Sequence, residues 1–205
     1  MKTRLIPATS REAIIQALEV LQRGGLVAFP TDTVYGVGAL AFDGDAIKSI
    51  YTAKDRPVEK AIAVLLGGSD NLDKVTSKVP PIAAKLASHF WPGPLTLVVP
   101  KHPLLPEVVS EIPTVGVRVP DHPVAQALLR AAGPMAVSSA NISGQDNPKS
   151  AEEVMRQLSG RIHLILDGGK TPGGVPSTVV DCTGVEPVIL REGPVRLEEI
   201  LESLI

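Results

Sequence analysis

Cysteine is nearly absent: Cys182 is the only one in 205 residues, and the four histidines are scattered. No disulfide within the chain and no cysteine-rich zinc site can be built from that inventory. Aromatic residues make up only 3%, which leaves few platforms on which nucleic-acid bases could stack. The net charge of −2 supplies no whole-molecule field that draws in nucleic acid, so any RNA contact must be local. Long apolar runs are missing, and no basic segment followed by a hydrophobic stretch opens the chain. Neither a spanning helix nor a secretion signal is expected, so the chain is read as cytoplasmic with no membrane partner.

What is present is an ordinary globular mixture, 44% apolar and 20% charged. The length suits one sizeable core, and a single domain over 1–205 is expected. Ser10 precedes Ile14, Ile15, Leu18 and Leu21 at helical spacing, and Gly24-Gly25 ends that helix. Leu26 to Pro30 reads as a buried strand, followed by a polar turn Thr31-Asp32-Thr33 and a glycine-bearing loop through Gly38. A helix around Ile47, Ile50 and Tyr51 ends near Lys54, a cationic loop follows, and Ile62 to Leu66 is a second buried strand.

Ile82, Leu86 and Phe90 predict a helix stopped by Pro92-Gly93-Pro94, with strands at Leu95–Val99 and Val115–Val119 and a helix from Pro123 to Ala132. Met135–Ser138 is a strand running into the turn Ser139-Ala140-Asn141, and Ser150 with Glu153 forms a capping-box pattern. Strands at Ile162–Asp167, Thr178–Cys182 and Val188–Arg191 and a helix behind Pro194 complete the chain. Helices and strands interleave throughout, so the fold class is α/β around a twisted, mixed sheet.

Three motif matches mislead. Gly36-Val37-Gly38-Ala39-Leu40-Ala41 fits a loose dinucleotide fingerprint, but no helix starts there. Gly168-Gly169-Lys170-Thr171 resembles the end of a phosphate loop, but Leu164 stands where its leading glycine is required. Asn141-Ile142-Ser143 is a chance glycosylation acceptor in a chain without a secretory route.

Polar loops beside apolar strands remain, where a scaffold displays a site. Lys54-Asp55-Arg56 with Lys60 is either a solvated loop or a triphosphate clamp, since Arg forks onto phosphate oxygens and Lys adds compact charge. On the second reading, removing Lys54 or Arg56 impairs turnover far more than folding. Ser138-Ser139-Ala140-Asn141 is a set of ligand donors or an Asx turn. Arg118, inside an apolar strand, must reach solvent or find an anion, and a structural salt bridge is the alternative. Gly168 to Ser177, with four glycines, is an anion-binding loop or a plain surface loop; Arg191 faces a ligand or pairs with Glu192.

In this order Pro30-Thr31-Asp32-Thr33-Val34-Tyr35-Gly36, Lys54-x-Arg56, Trp91-Pro92-Gly93-Pro94-Leu95-Thr96, Val117-Arg118-Val119-Pro120, Ser139-x-Asn141 and Ser177-Thr178 resemble the YrdC/TsaC family of threonylcarbamoyl-AMP synthases, from about Leu5 to Arg196. The resemblance implies a YrdC-like (DHBP synthase-like) twisted sheet with a concave, positively charged cavity, where threonine and ATP bind side by side with Mg²⁺. It implies threonine contacts from Thr33, Arg118, Ser177 and the backbone near Val137. Lys54, Arg56, Lys60, Thr114, Ser139, Asn141, Asn147 and Arg191 would face ATP, with Lys54, Arg56, Ser139 and Asn141 closest to the chemistry.

Some relatives carry Asn at the Lys60 position, His at the Leu65 position and an extra C-terminal domain, so this chain resembles the short form. The implied reaction joins L-threonine, bicarbonate and ATP. Its product would serve the tRNA threonylcarbamoyl-transferase machinery that makes N6-threonylcarbamoyladenosine. The rival reading is a noncatalytic protein of the same fold that binds double-stranded RNA or assists ribosome maturation; weak RNA binding fits either. A related carbamoyl-transfer enzyme of hydrogenase maturation would bring acylphosphatase and zinc-finger-like domains.

Overall fold

The computed structural model describes residues 1–172 and 174–205. Gly173, one of the four glycines expected in the anion-binding loop, lies outside the described residues. The strands are β1 (Arg4–Pro7), β2 (Val27–Pro30), β3 (Tyr35–Leu40), β4 (Ala63–Leu65), β5 (Leu95–Pro100), β6 (Thr114–Arg118), β7 (Met135–Ser139), β8 (Leu164–Asp167), β9 (Thr178–Asp181) and β10 (Val188–Arg191). The helices are α1 (Ala13–Gln22), α2 (Gly44–Lys54), α3 (Pro81–Phe90), α4 (Pro123–Ala132), α5 (Ala151–Leu158) and α6 (Leu197–Glu202). One mixed sheet runs through the molecule in the order β1-β8-β2-β3-β7-β4-β6-β5-β9-β10. The pairs β1·β8, β2·β8, β4·β6 and β5·β9 are parallel, while β2·β3, β3·β7, β4·β7, β5·β6 and β9·β10 are antiparallel.

Two hydrophobic clusters are formed. One includes Tyr35, Ile47, Ile50, Leu86, Leu97 and Val154. The other includes Ala13, Ala17, Leu21, Phe29, Leu128 and Leu164. Among the described residues, no helix is long and apolar enough to cross a membrane.

The expected helices all form, with shifts that packing explains. Helix α1 buries Ala13, Ala17 and Leu21, while Ile15 is 58% exposed. The alanines let the helix lie close to its neighbours, so the buried stripe differs from the one the bulky residues predict. Ser150 caps α5 as expected, its Oγ accepting from the Glu153 N–H. The Glu153 carboxylate accepts from the Lys149 N–H at 2.7 Å instead of closing the box on Ser150.

The expected loop through Gly38 is instead strand β3, in full register with β7 from Gly36↔Ser139 to Leu40↔Met135. Its glycines are packing requirements. A Cβ at Gly38 would lie 2.7 Å from the Ala136 carbonyl oxygen, and one at Gly36 would lie 2.7 Å from a Val137 methyl. Strand β1, unforeseen, is an edge strand paired only to β8, with a largely exposed pattern that carries no buried-strand signal.

Thr178, fully buried at the start of β9, fastens the chain beyond β10. Its hydroxyl donates to the Val195 carbonyl at 2.8 Å and accepts the Val195 N–H at 3.0 Å. Thr178→Val keeps the shape and orphans both groups. We expect a loss of about 1–3 kcal/mol, read as a lower urea midpoint with an unchanged slope.

Candidate active site

A cavity of about 350 Å³ opens on one face of the central strands. Alternation along each strand decides which side chains form its floor. Leu65 and Ala63 come from β4, Arg118 and Gly116 from β6, Val98 and Thr96 from β5, and Val137 and Ser139 from β7. Thr33 and Ser177 enter from the loops before β3 and β9. Three arginines, Arg56, Arg118 and Arg191, line the cavity, and among its described lining residues there is no carboxylate.

Arg118, 5% exposed, does not reach bulk solvent. Its Nε donates to the Gly93 carbonyl at 2.9 Å, one terminal nitrogen donates to Thr33 Oγ1 at 3.0 Å, and the other donates to Asp32 Oδ1. Asp32 is therefore the counter-ion that the apolar strand required, and the salt-bridge alternative holds beside the cavity-lining one. Five N–H donors less these three leave one on each terminal nitrogen. Asp32 was not singled out from sequence, although a buried arginine calls for an acid and this motif holds one. Its second oxygen, Oδ2, is buried with no hydrogen-bond partner.

Arg191 does not pair with Glu192. Its guanidinium donates to the Ser177 carbonyl at 2.8 and 3.1 Å and to Ser177 Oγ at 3.2 Å, and Ser177 Oγ shares a 2.8 Å hydrogen bond with Thr96 Oγ1. Arg56 donates to the Lys60 and Ala61 carbonyls at 3.1 and 3.0 Å. Burial pulls all three guanidiniums below the usual arginine range. The charge of Arg56 adds to this at Arg191, and that of Arg191 at Arg118. Mutually repelling, partly desolvated cations make the cavity a place where an anion lowers the energy.

Of the expected site residues, Thr33, Arg118, Val137 and Ser177 line the cavity, as do Arg56, Ser139, Asn147 and Arg191. Lys54, Lys60, Thr114 and Asn141 do not. Lys60 is exposed on the loop and offers its carbonyl to Arg56 and to the Tyr51 hydroxyl. Thr114 lies on the same face of β6 as Gly116, one step beyond the lining. Asn141 is buried and spends its amide on the Ile142 and Gln145 carbonyls at 2.9 and 2.8 Å.

Lys54 is the largest departure, being 1% exposed and no loop cation. Its ammonium donates to the carbonyls of Ser139 and Asn141. Ser138, one of the donors offered by the 138–141 segment, also lines the cavity, and so do Thr31 and Thr96, which, like Tyr35, were given no role of their own. The Tyr35 hydroxyl donates to the Gly169 carbonyl at 2.7 Å and accepts from the Gly168 N–H at 3.2 Å, which fastens the glycine-rich loop.

A family model for Sua5, YciO and YrdC proteins, described as telomere recombination, matches residues 19–193. The chain belongs to the Sua5/YciO/YrdC family. A threonylcarbamoyl-AMP synthase of Bacillus subtilis (strain 168) is 45% identical over 196 residues, which cover 94% of this chain and 57% of the relative. A putative threonylcarbamoyl-AMP synthase of Mycobacterium tuberculosis (strain H37Rv) is 43% identical over 199 residues, covering 97% of this chain and 92% of the relative. The crystal structure of P. abyssi Sua5 complexed with L-threonine superposes with a TM-score of 0.95 at 42% identity, covering 98% of this chain and 61% of that one. The chain thus spans little more than half the length of the B. subtilis relative.

The electrostatics of Lys54 in this Sua5/YciO/YrdC site can be read from stability. Burial, and then the charge of Arg56, push its ammonium from the ordinary 10.5 down to about 7, against two carbonyl oxygens that favour the charged form. Between those values the unfolded chain holds a proton that the folded chain has released, so raising the pH favours folding. We expect wild-type stability relative to Lys54→Met to be flat below pH 7, to rise toward pH 10.5, and then to level off. Urea unfolding of both proteins across that range checks it.

Proposed function

We propose that the chain is an L-threonylcarbamoyladenylate synthase, joining L-threonine, bicarbonate and ATP into threonylcarbamoyl-AMP and pyrophosphate. The observation that carries this reading is a cavity lined by three mutually repelling guanidiniums with no carboxylate among its described lining residues. The names of relatives that are matched over 57% and 92% of their own lengths support it.

The Arg118 fork, with one free N–H on each terminal nitrogen, faces the carboxylate of threonine. Thr33 and Ser177 offer hydroxyls beside it. The threonine amine and bicarbonate condense with loss of water to a carbamate, whose oxygen attacks the α-phosphorus of ATP while the bond to pyrophosphate breaks. The nucleophile is already an anion, so no acid/base pair is needed. The protein's work is to hold two anions together and stabilise developing charge, in a site that binding has partly emptied of water. Arg56 and Arg191, which line the same cavity, would take the phosphates, with Ser139 and Asn147 as neutral donors.

Among the described residues, no cluster of three His, Cys, Asp or Glu side chains could hold a metal. Magnesium is therefore proposed to enter on the phosphate oxygens of ATP with water, a coordination it commonly keeps. When bound, it would neutralise charge on the departing pyrophosphate. The product is a reactive mixed anhydride, and we propose that a tRNA threonylcarbamoyl transferase in the cytoplasm consumes it.

Two outcomes are expected. Pyrophosphate release requires threonine, bicarbonate and Mg-ATP together; equal release without threonine refutes this reading, and salt-sensitive RNA binding with no turnover favours the RNA-binding alternative. Arg118→Lys keeps a cation for Asp32 but loses the planar fork. Calorimetry should then show threonine affinity about tenfold weaker or more, with ATP affinity less affected. Arg118→Ala is the poorer test, because it would strand the largely enclosed Asp32 carboxylate.

A further inference from the structure

Lys54 ends α2, inside the protein. The two carbonyls that accept from its ammonium belong to Ser139 and Asn141, which flank Ala140 in the turn after β7. The lysine's own carbonyl accepts the Ser143 N–H from the same turn at 2.7 Å. That turn is held elsewhere by the Ala140 N–H, which donates to the Tyr35 carbonyl at 2.8 Å, and by the side-chain amide of Asn141. Ser139 lines the cavity and Lys54 does not. Two of the three ammonium N–H groups are spent on these carbonyls, and the third belongs to a side chain that is 1% exposed and does not line the cavity. To meet a phosphate there the ammonium would have to move from its place between the two carbonyls, a costly exchange for buried polar groups.

We propose that Lys54 is a positioning residue rather than a phosphate ligand: its buried ammonium and its backbone carbonyl clamp the 139–143 turn to the end of α2, and so set Ser139 in the cavity floor. The proposal rests on the reading that nucleotide phosphates bind beside Ser139. A clamp of this kind acts on the geometry of the bound complex, so its loss should lower turnover more than it weakens the ATP encounter. Arg56, which lines the cavity, should show the reverse balance.

The test has a wild-type arm and a variant arm. In wild-type protein treated with acetic anhydride, Lys54 should remain unmodified with or without tripolyphosphate. An ammonium titrating near 7 would be among the first amines to react if it were accessible, so this readout is sensitive. Acetylation of Lys54 in the free protein and protection by tripolyphosphate would overturn the proposal. Lys54→Met keeps the length and removes the donor. We expect faster amide exchange at Ala140 and Ser143, kcat for pyrophosphate release at least tenfold lower, and KM for ATP within threefold of wild type. Arg56→Ala should raise KM for ATP about tenfold and leave that exchange unchanged. Unchanged exchange in Lys54→Met, or a rise in its KM that matches Arg56→Ala, would also overturn the clamp. If Lys54→Met does not fold, the acetylation result decides. If the wild type releases no pyrophosphate, the proposed function fails, and acetylation and exchange still decide the role of Lys54.

Discussion

Cations gathered at a sheet floor, Lys54 and Arg118 buried and Arg56 and Arg191 more open, with few acids to balance them, are the constraint on which the rest of this structure depends. Arg118 has one carboxylate, Asp32; Arg56, Arg191 and Lys54 are held by backbone carbonyls instead. A carbonyl satisfies a donor without cancelling its charge. The site therefore keeps its positive potential, which favours an anionic ligand.

The same bonds tie the loops down. Arg191 fixes Ser177 at the mouth of β9, Arg56 folds the 57–61 segment over its own guanidinium, and Tyr35 fastens Gly168 and Gly169 from below. Loops ordered by charged side chains need fewer apolar contacts of their own. Binding groups can then stand on rigid strands and on short, pinned turns at once, which preserves the geometry catalysis needs.

The sheet makes this arrangement reachable. Six adjacent strands, from β3 to β9, contribute to one floor, and the antiparallel pairing of β3 with β7 brings Gly36 opposite Ser139. The glycines at 36 and 38 permit that close approach. The residue pattern suggested a loop there because glycine is a weak strand former in isolation, and tertiary pairing outweighed the local preference.

Sequence alone determined the helices, whose period of burial is local, and most strands, whose apolar runs are bounded by proline and glycine. It also determined the ordered motifs from Pro30 to Thr178 that resemble one family, and the need for an anion at Arg118. Tertiary structure decided what could not be read from neighbours along the chain. Lys54 looks like a loop cation beside Asp55 and Arg56, yet its partners lie 85 and 87 positions away, and Asp32 meets Arg118 across 86. Burial and counter-ions are properties of three-dimensional packing, so a local window can name the charged groups of this site but not which of them face the ligand and which hold the walls.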